Sequence, residues 1–463
     1  MNHSVEALPV IIVGAGAAGL TAALTLADAQ IACVVLERDA LPQGSTALSS
    51  GFIPACGTRW QAARGVPDDI TRFAADIHAK NGGLADAGVV EAVCRASGET
   101  LHWLVDTHGL QFDLLEGFLY PGHSVARMHA VPEKTGQGLI ARLLAAVERA
   151  GVPVLTEARV TALQADAQQR ITAVELTRPN GAREVIPCSA VILACNGYGG
   201  DPDLVRTHLP AIAHATYAGH AGNRGDALRW ACELGAATRD LTAYQGHGAW
   251  AVPHGVLLTW ALMMEGGIQV NANGARFWNE HEGYSEAAEH VLAQPGGIAW
   301  CVYDARLHTL GLSFHDYRNL HDAGGVRRAE TLTGIASSTG MPEEALATTL
   351  STVQAVDTCA HGRSFAGKPR LDFTQGYYAV KVTGALFHTQ GGLEVTPNAQ
   401  VLRMDGTVLP NLYAAGGAAR GVSGAHAWGY LSGNGLLTAV TLGRLAALRL
   451  AVMQSATIAA LPS

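Results

Sequence analysis

The chain has 463 residues, 48% of them hydrophobic and 15% charged, with a formal net charge of −8. This is the composition of a folded globular chain, long enough for two or three domains or one large domain with an insertion. The negative balance without a basic stripe argues against a nucleic-acid partner. The eight scattered cysteines, with no C-x-x-C pair, argue against zinc, c-type haem and a disulfide framework.

The opening "MNHSVEALPVIIVGAG" runs into a buried strand without the pattern of a secretory signal. No apolar run reaches the ~18–20 residues needed to span a bilayer. With reduced thiols, this points to a cytoplasmic protein. "PVIIVGAGAAGLTAALTLADAQIACVVLERD" then reads as strand, glycine turn, helix and strand, the size of a βαβ unit. Gly14, Gly16 and Gly19 form G-x-G-x-x-G between strand and helix, with Ala17 and Ala18 inside the turn. The first glycine makes the turn, the second admits a pyrophosphate, and the third lets the helix approach the sheet. The phosphates would sit on the N–H groups of the helix start. Glu37 ends the second strand, followed by Arg38, and a carboxylate there suits the hydroxyls of a ribose without a 2′-phosphate.

Downstream, "GSTALSSGF" offers a loop of small hydroxyl residues, and residues 68–110 carry helical periodicity. A helix and a strand pair follow from residue 136. "ITAVELTRPNGAREVIPCSAVILACNGYGGD" reads as a hairpin turning at Asn-Gly, then an apolar strand ending in Asn196 and Gly197. Residues 242–389 change character, with more aromatics, histidines and short strands. "GARFWNEHEGYSE" within them reads as a strand end, a turn and a charged helix start, with Tyr284 in its middle. "NLYAAGG" is a further buried strand, ending at Gly416 and Gly417 before a long last helix. The expected fold is α/β: a Rossmann-like cofactor domain from residues 1–241 and 390–463, with an inserted α+β substrate-capping domain at 242–389. The C-terminal element favours FAD over NAD, because a long cofactor needs more chain to complete its site.

"GARFWNE", "QGYYAVKVTGALFHTQGGLEVTPNAQVL" and "LYAAGG" together resemble the fumarate reductase and succinate dehydrogenase flavoprotein superfamily, which includes the 3-ketosteroid dehydrogenases. The similarity runs over nearly the whole chain. It implies FAD held by the glycine turn, Glu37, Ser45, Thr46, Ser50, Gly51, Val160, Asn196, Gly197, Asp226, Gly416 and Gly417, and by Ser432, Asn434 and Leu436 of "SGNGLL". A Ser stands at position 45, where members with covalent flavin carry His, so the implied FAD is non-covalent.

The resemblance also assigns the substrate end. His247, His388 and Thr259 match the superfamily's dicarboxylate clamps. Trp260 and Met263 replace the proton-relaying Glu and Arg, Tyr284 replaces the proton-donating Arg, and Tyr430 falls at the carboxylate-binding Arg. A buried dianion needs a fixed cation, so fumarate reduction is not expected. Tyrosines at these places are similar to those of the 3-ketosteroid dehydrogenases. On that pattern Tyr430 with the N–H of Gly433 or Gly435 polarises a ketone oxygen, Tyr284 takes the α-proton, and the β-hydride goes to flavin N5. Tyr120, His129 and His247 are candidates to stabilise the phenolate, since a free tyrosine titrates near pH ~10. Arg127 or Arg420 would hold a substrate carboxylate if either faced the pocket. The expected activity is desaturation of a cyclic ketone or keto acid beside its carbonyl, with an unidentified electron acceptor. The alternatives are reduction of an activated double bond, and a flavoprotein subunit that passes electrons to a partner.

Overall fold

The computed structural model describes residues 8–459. It begins with β1 (Val10–Val13), α1 (Ala17–Asp28), β2 (Cys33–Leu36) and a single turn, α2 (Ser45–Leu48). Strands β3 (Val154–Leu155) and β4 (Ala190–Leu193) follow. The middle of the chain supplies β5 (Tyr244–Ala251), β6 (Ile268–Val270), α3 (Tyr284–Leu292), β7 (Ile298–Tyr303), α4 (His315–Asp322) and β8 (Tyr377–Thr389). The chain closes with β9 (Gln400–Leu402), β10 (Val408–Ala414) and α5 (Asn434–Ala459).

Two sheets organise these elements. One runs β9-β10-β4-β1-β2-β3, parallel throughout except for the β9–β10 pair. β1 and β4 are buried along their whole length, as uninterrupted apolar runs in a parallel sheet covered on both faces must be. Residues from both ends of the chain thus share one sheet, and α5 packs along α1 over it. The second sheet runs through β5, β8, β7 and β6, with β8 as its long central strand. Thr216–Tyr217 also pairs with β8, so this sheet takes in residues ahead of position 242.

The helical stretch expected over 68–110 is two helices, Ile70–Asn81 and Ala87–Asp106, separated at Gly82, whose φ of 65° ends the first. The Asn-Gly hairpin forms as expected: Arg178 donates its N–H to the Ala182 carbonyl at 2.9 Å across the turn. "GARFWNE" is not a strand end. It is an irregular segment after β6, and Tyr284 sits in the first turn of α3. What holds that segment is a buried ion cluster in which Glu280 pairs with both Arg276 and Arg363.

The last helix corrects one expectation. Asn434–Gln454 is long and apolar enough to cross a membrane by length and composition, but 56% of that window is buried inside the fold. Its apolarity is accounted for by packing on α1 and on the helix Ala87–Asp106. All eight cysteines are free thiols.

Candidate active site

One cavity of about 490 Å³ runs from the glycine turn after β1 to the second sheet. At its first end, Gly14 has a φ of +107°, and a Cβ there would lie 2.5 Å from the Ala194 carbonyl oxygen. At Gly19 a Cβ would lie 1.9 Å from the Gly14 oxygen, so this glycine serves helix packing and does not line the cavity. The Glu37 carboxylate accepts the Ala15 N–H at 2.9 Å and the Asp39 N–H at 3.0 Å, which fixes it at the cavity edge. The Thr46 hydroxyl accepts the Ala17 N–H at 3.0 Å, so one of the helix-start amides is already capped. Gly16 carries no side-chain cap, leaving the neighbouring amides for an anion.

Farther in, Asn196 donates to the Ser45 hydroxyl at 2.6 Å and Asn223 donates to it at 3.2 Å. Gly417 lies between two polar groups: a Cβ would meet Asn196 Oδ1 at 2.2 Å and His388 Nε2 at 2.7 Å. Glycine is required at this narrow place. A cradle of close-approach glycines, a carboxylate at the end of β2 and a serine-lined passage fits the long cofactor expected. Arg38, Ser50, Gly51, Val160, Asp226, Gly416, Ser432, Leu436 and Ala18 line the cavity as well. Gly197 and Asn434 do not. Gly197 is pressed against the Thr389 hydroxyl, and Asn434 is buried, donating to Ser423 at 3.1 Å.

At the other end the walls are aromatic. His247, on β5, stacks on Tyr284 with ring centres 4.7 Å apart and on Phe387 at 5.4 Å. Tyr430 stands edge-on to Tyr284 at 6.0 Å, and Tyr120 and Trp260 each at 6.4 Å. The Trp260 Nε1–H donates to the Glu280 carbonyl at 3.1 Å, so the ion cluster that shapes the Arg276–Gly283 segment also anchors this wall. Burial dominates the proton chemistry here. It drives the Tyr284 phenol well above its ordinary range, with the nearby Tyr430 adding to the rise and the Ser432 hydroxyl opposing it. Tyr430 is pushed up less, to about 12, because the amides of Gly435 and Gly433 favour its anion.

The histidines are neutral. Burial lowers His247 to about 3 and His388 to about 4. The Ala249 N–H donates to His247 Nδ1 at 3.1 Å, which leaves the proton on Nε2. Ser423 donates to the Gln390 carbonyl oxygen, and the Gln390 amide in turn donates to His388 Nδ1 at 2.9 Å. His388 therefore also presents an Nε2–H, toward Gly417.

Several expected residues lie elsewhere. Arg127 is buried away from this cavity, saturated by Asp68 at 2.8 Å and by Asp76, and cannot clasp a substrate carboxylate. Arg420 is held by Asp240 at 2.6 Å and does not line the cavity either. Met263 points into the apolar core under the second sheet instead of forming a wall. His129 is engaged with the Thr58 hydroxyl at 2.9 Å and takes no part in the tyrosine cluster. Neither Tyr120 nor His247 brings a charge that would steady a Tyr284 phenolate, and Tyr120 raises its pKa; the helping contact is Ser432. Thr259 lines the cavity and hydrogen-bonds to Tyr120. Sequence reasoning missed Gln390, which orients His388 from behind, and the lining residues Phe387, Asn223 and the face of α4 carrying His315, Asp316 and Asn319. The first two adjoin His388 in "FHTQGG" and could have been read there; α4 carries no motif.

The FAD binding domain family matches residues 9–436 of this chain. A probable fumarate reductase of Shewanella frigidimarina is 28% identical, over 95% of this chain and 74% of its own length. A 4-oxocyclohexanecarboxylate 2-dehydrogenase of Sinomonas cyclohexanicum is 26% identical, over 94% of this chain and 92% of its own. Among solved structures, a 3-ketosteroid-delta4-(5alpha)-dehydrogenase from Rhodococcus jostii RHA1, in complex with 4-androstene-3,17-dione, superposes with a TM-score of 0.75. It is 26% identical and covers 97% of this chain and 98% of that one.

Three outcomes follow from this geometry. Gly417→Ala displaces Asn196 and His388, and is expected to lower FAD content in the purified protein at least about tenfold, measured as the ratio of flavin to protein absorbance. Acid precipitation of the purified protein is expected to leave all flavin in the supernatant, since Ser45 offers no ring nitrogen for a covalent link; flavin retained in the pellet refutes this. His123 and His129 are also lowered by burial, each to about 4. Between pH ~6.5 and these values the unfolded chain binds protons that the folded one does not. Stability is therefore lost as pH falls through that window, by up to about 1.4 kcal/mol per histidine per pH unit. A melting temperature that stays level from pH 7 to pH 5 would contradict it.

Proposed function

The chain belongs to the FAD binding domain family, and from that premise we propose a dehydrogenase that introduces a double bond beside the carbonyl of a cyclic ketone. That it is an FAD-dependent oxidoreductase acting on CH–CH or C=C bonds is common ground for its relatives. The choice of a ketone rests on one observation: the aromatic end of the cavity presents a pair of phenols backed by glycine amides, and among the described residues no guanidinium or ammonium lines it.

A ketone oxygen placed at Tyr430 meets its O–H, which the N–H groups of Gly433 and Gly435 polarise by donating to the phenol oxygen. That O–H then steadies the negative charge that grows on the ketone oxygen when the neighbouring carbon gives up a proton. Tyr284, beside Tyr430, is the group placed to take that proton, and its stack on His247 holds the phenol in one orientation. Trp260 and Phe387 exclude water from the same space. Bound FAD supplies the hydride acceptor that makes the removal of the second hydrogen a net oxidation. A dicarboxylate substrate would find no cation here, which argues against the reaction named for the fumarate reductase relative.

A second reading is favoured by the proton chemistry. Tyr284 is protonated at rest, so it stands ready as a donor, and the same residues could saturate an activated double bond. The directions separate in two anaerobic experiments. Cyclic ketones are expected to bleach the yellow enzyme, at a rate that rises with pH because the Tyr284 phenolate is the active form. Enones are expected to reoxidise the photoreduced enzyme only slowly. Rapid reoxidation without bleaching by any saturated ketone reverses the assignment. Tyr284→Phe is expected to slow bleaching about 10²–10⁴-fold with FAD still bound; an unchanged rate removes Tyr284 from the mechanism.

A further inference from the structure

The aromatic end of the cavity opens to solvent at α4, where His315 and Asn319 are exposed and Asp316 is half-buried. His315 and Asn319 hydrogen-bond to each other at 3.0 Å. Asp316 lines the cavity, yet among the described residues no hydrogen bond or ion pair holds its carboxylate. Its charge is felt by Tyr120, the ring standing edge-on to Tyr284, so it belongs to the same space as the phenols.

The positive side chains that line the cavity are at the opposite end. Arg38 follows Glu37 and donates to the Gly222 carbonyl. Arg159 follows Ala158, whose N–H donates to the Glu37 carbonyl at 2.8 Å. Lys134 precedes Thr135, whose carbonyl abuts Gly51. Among the described residues, what lines the substrate end is one carboxylate, with the His315 ring beside it and no arginine or lysine.

We propose that Asp316 selects the substrate: it receives a hydrogen-bond donor or a cation on the part of the ketone remote from the carbonyl, and it excludes ketones that carry a carboxylate there. This rests on the reading that the carbonyl faces Tyr430. Two like charges at the same half-buried place repel over several ångströms, and a substrate carboxylate there would find no partner. An amine or hydroxyl in that place would satisfy a carboxylate that the protein itself leaves open. Burial pushes the Asp316 carboxyl above its ordinary range, and His315 is the neighbour that draws it back. A donor from the substrate would favour the charged form in the same way. The chain thus differs in expected substrate charge from the relative named for an oxocyclohexanecarboxylate.

The test uses the holoenzyme with cyclohexanones and fused two-ring ketones bearing a carboxylate, a carboxamide or an aminomethyl group across the ring from the carbonyl. Binding is read from the flavin difference spectrum and from the shift in melting temperature, and reaction from anaerobic bleaching. The wild-type protein is expected to bind the carboxamide and aminomethyl ketones at least about tenfold more tightly than the carboxylates. Asp316→Asn is expected to narrow that gap and Asp316→Lys to reverse it. Equal or tighter carboxylate binding by the wild type, or a gap that both variants leave unchanged, overturns the assignment. If the charge order holds in binding but no ketone bleaches the flavin, the role of Asp316 stands and the dehydrogenation reading falls. Bleaching without the charge order has the opposite meaning, and no binding by any ketone sinks both.

Discussion

His247 lies face to face with Tyr284 on one side and Phe387 on the other, and this stack of three rings depends on a single strand crossing. His247 is on β5 and Phe387 on β8, antiparallel neighbours whose register shifts twice along this stretch. Tyr284 comes from α3, which packs across both strands because Gly246 and Gly248 let its backbone approach; a Cβ at Gly248 would lie 2.3 Å from Ala287. Remove that close approach and the phenol leaves the cavity. The stack also forbids charge. Each ring strips water from the next, so the histidine stays neutral and the phenol keeps its proton.

The contrast with the rest of the second sheet is instructive. Charge is abundant nearby but committed. Glu280 is wholly buried and still ionised, held near 2 chiefly by Arg363 and Arg276. Breaking one partner of such a cluster leaves an uncompensated buried charge, which costs several kcal/mol, so the cluster is rigid. Its job is mechanical: it fixes the irregular segment between β6 and α3, and through the Glu280 carbonyl it fixes Trp260. Arg127 is likewise spent on Asp68 and Asp76 and does not line the cavity. These guanidiniums serve the scaffold, while His247, Tyr284 and Tyr430 line the cavity.

That division explains what the sequence disclosed. The glycine turn, Glu37 and the parallel strands were readable because each depends on local geometry, a φ only glycine tolerates or an apolar run bounded by turns. The tyrosines were readable by position in a shared pattern. Arg127 and Arg420 were not, because whether an arginine is free depends on carboxylates distant in sequence: Asp68 and Asp240. Met263 shows the same limit: it lies one helical turn on from Trp260, yet it is buried in the core without reaching the cavity that Trp260 lines. Asp316 had no motif at all. Its place in the cavity follows only from how α4 packs on the short strand Val256–Leu257.

The order of strands in the first sheet has a bearing on how the holoenzyme comes to exist. β1 is synthesised well before its neighbour β4, and β4 well before β10, with Gly416 and Gly417 just beyond. A nascent chain can fold the βαβ unit around Gly14 and still lack the far wall of the flavin berth until β10 and these glycines are made. The berth for the coenzyme is therefore complete only once both sequence-distant halves of the first sheet have met.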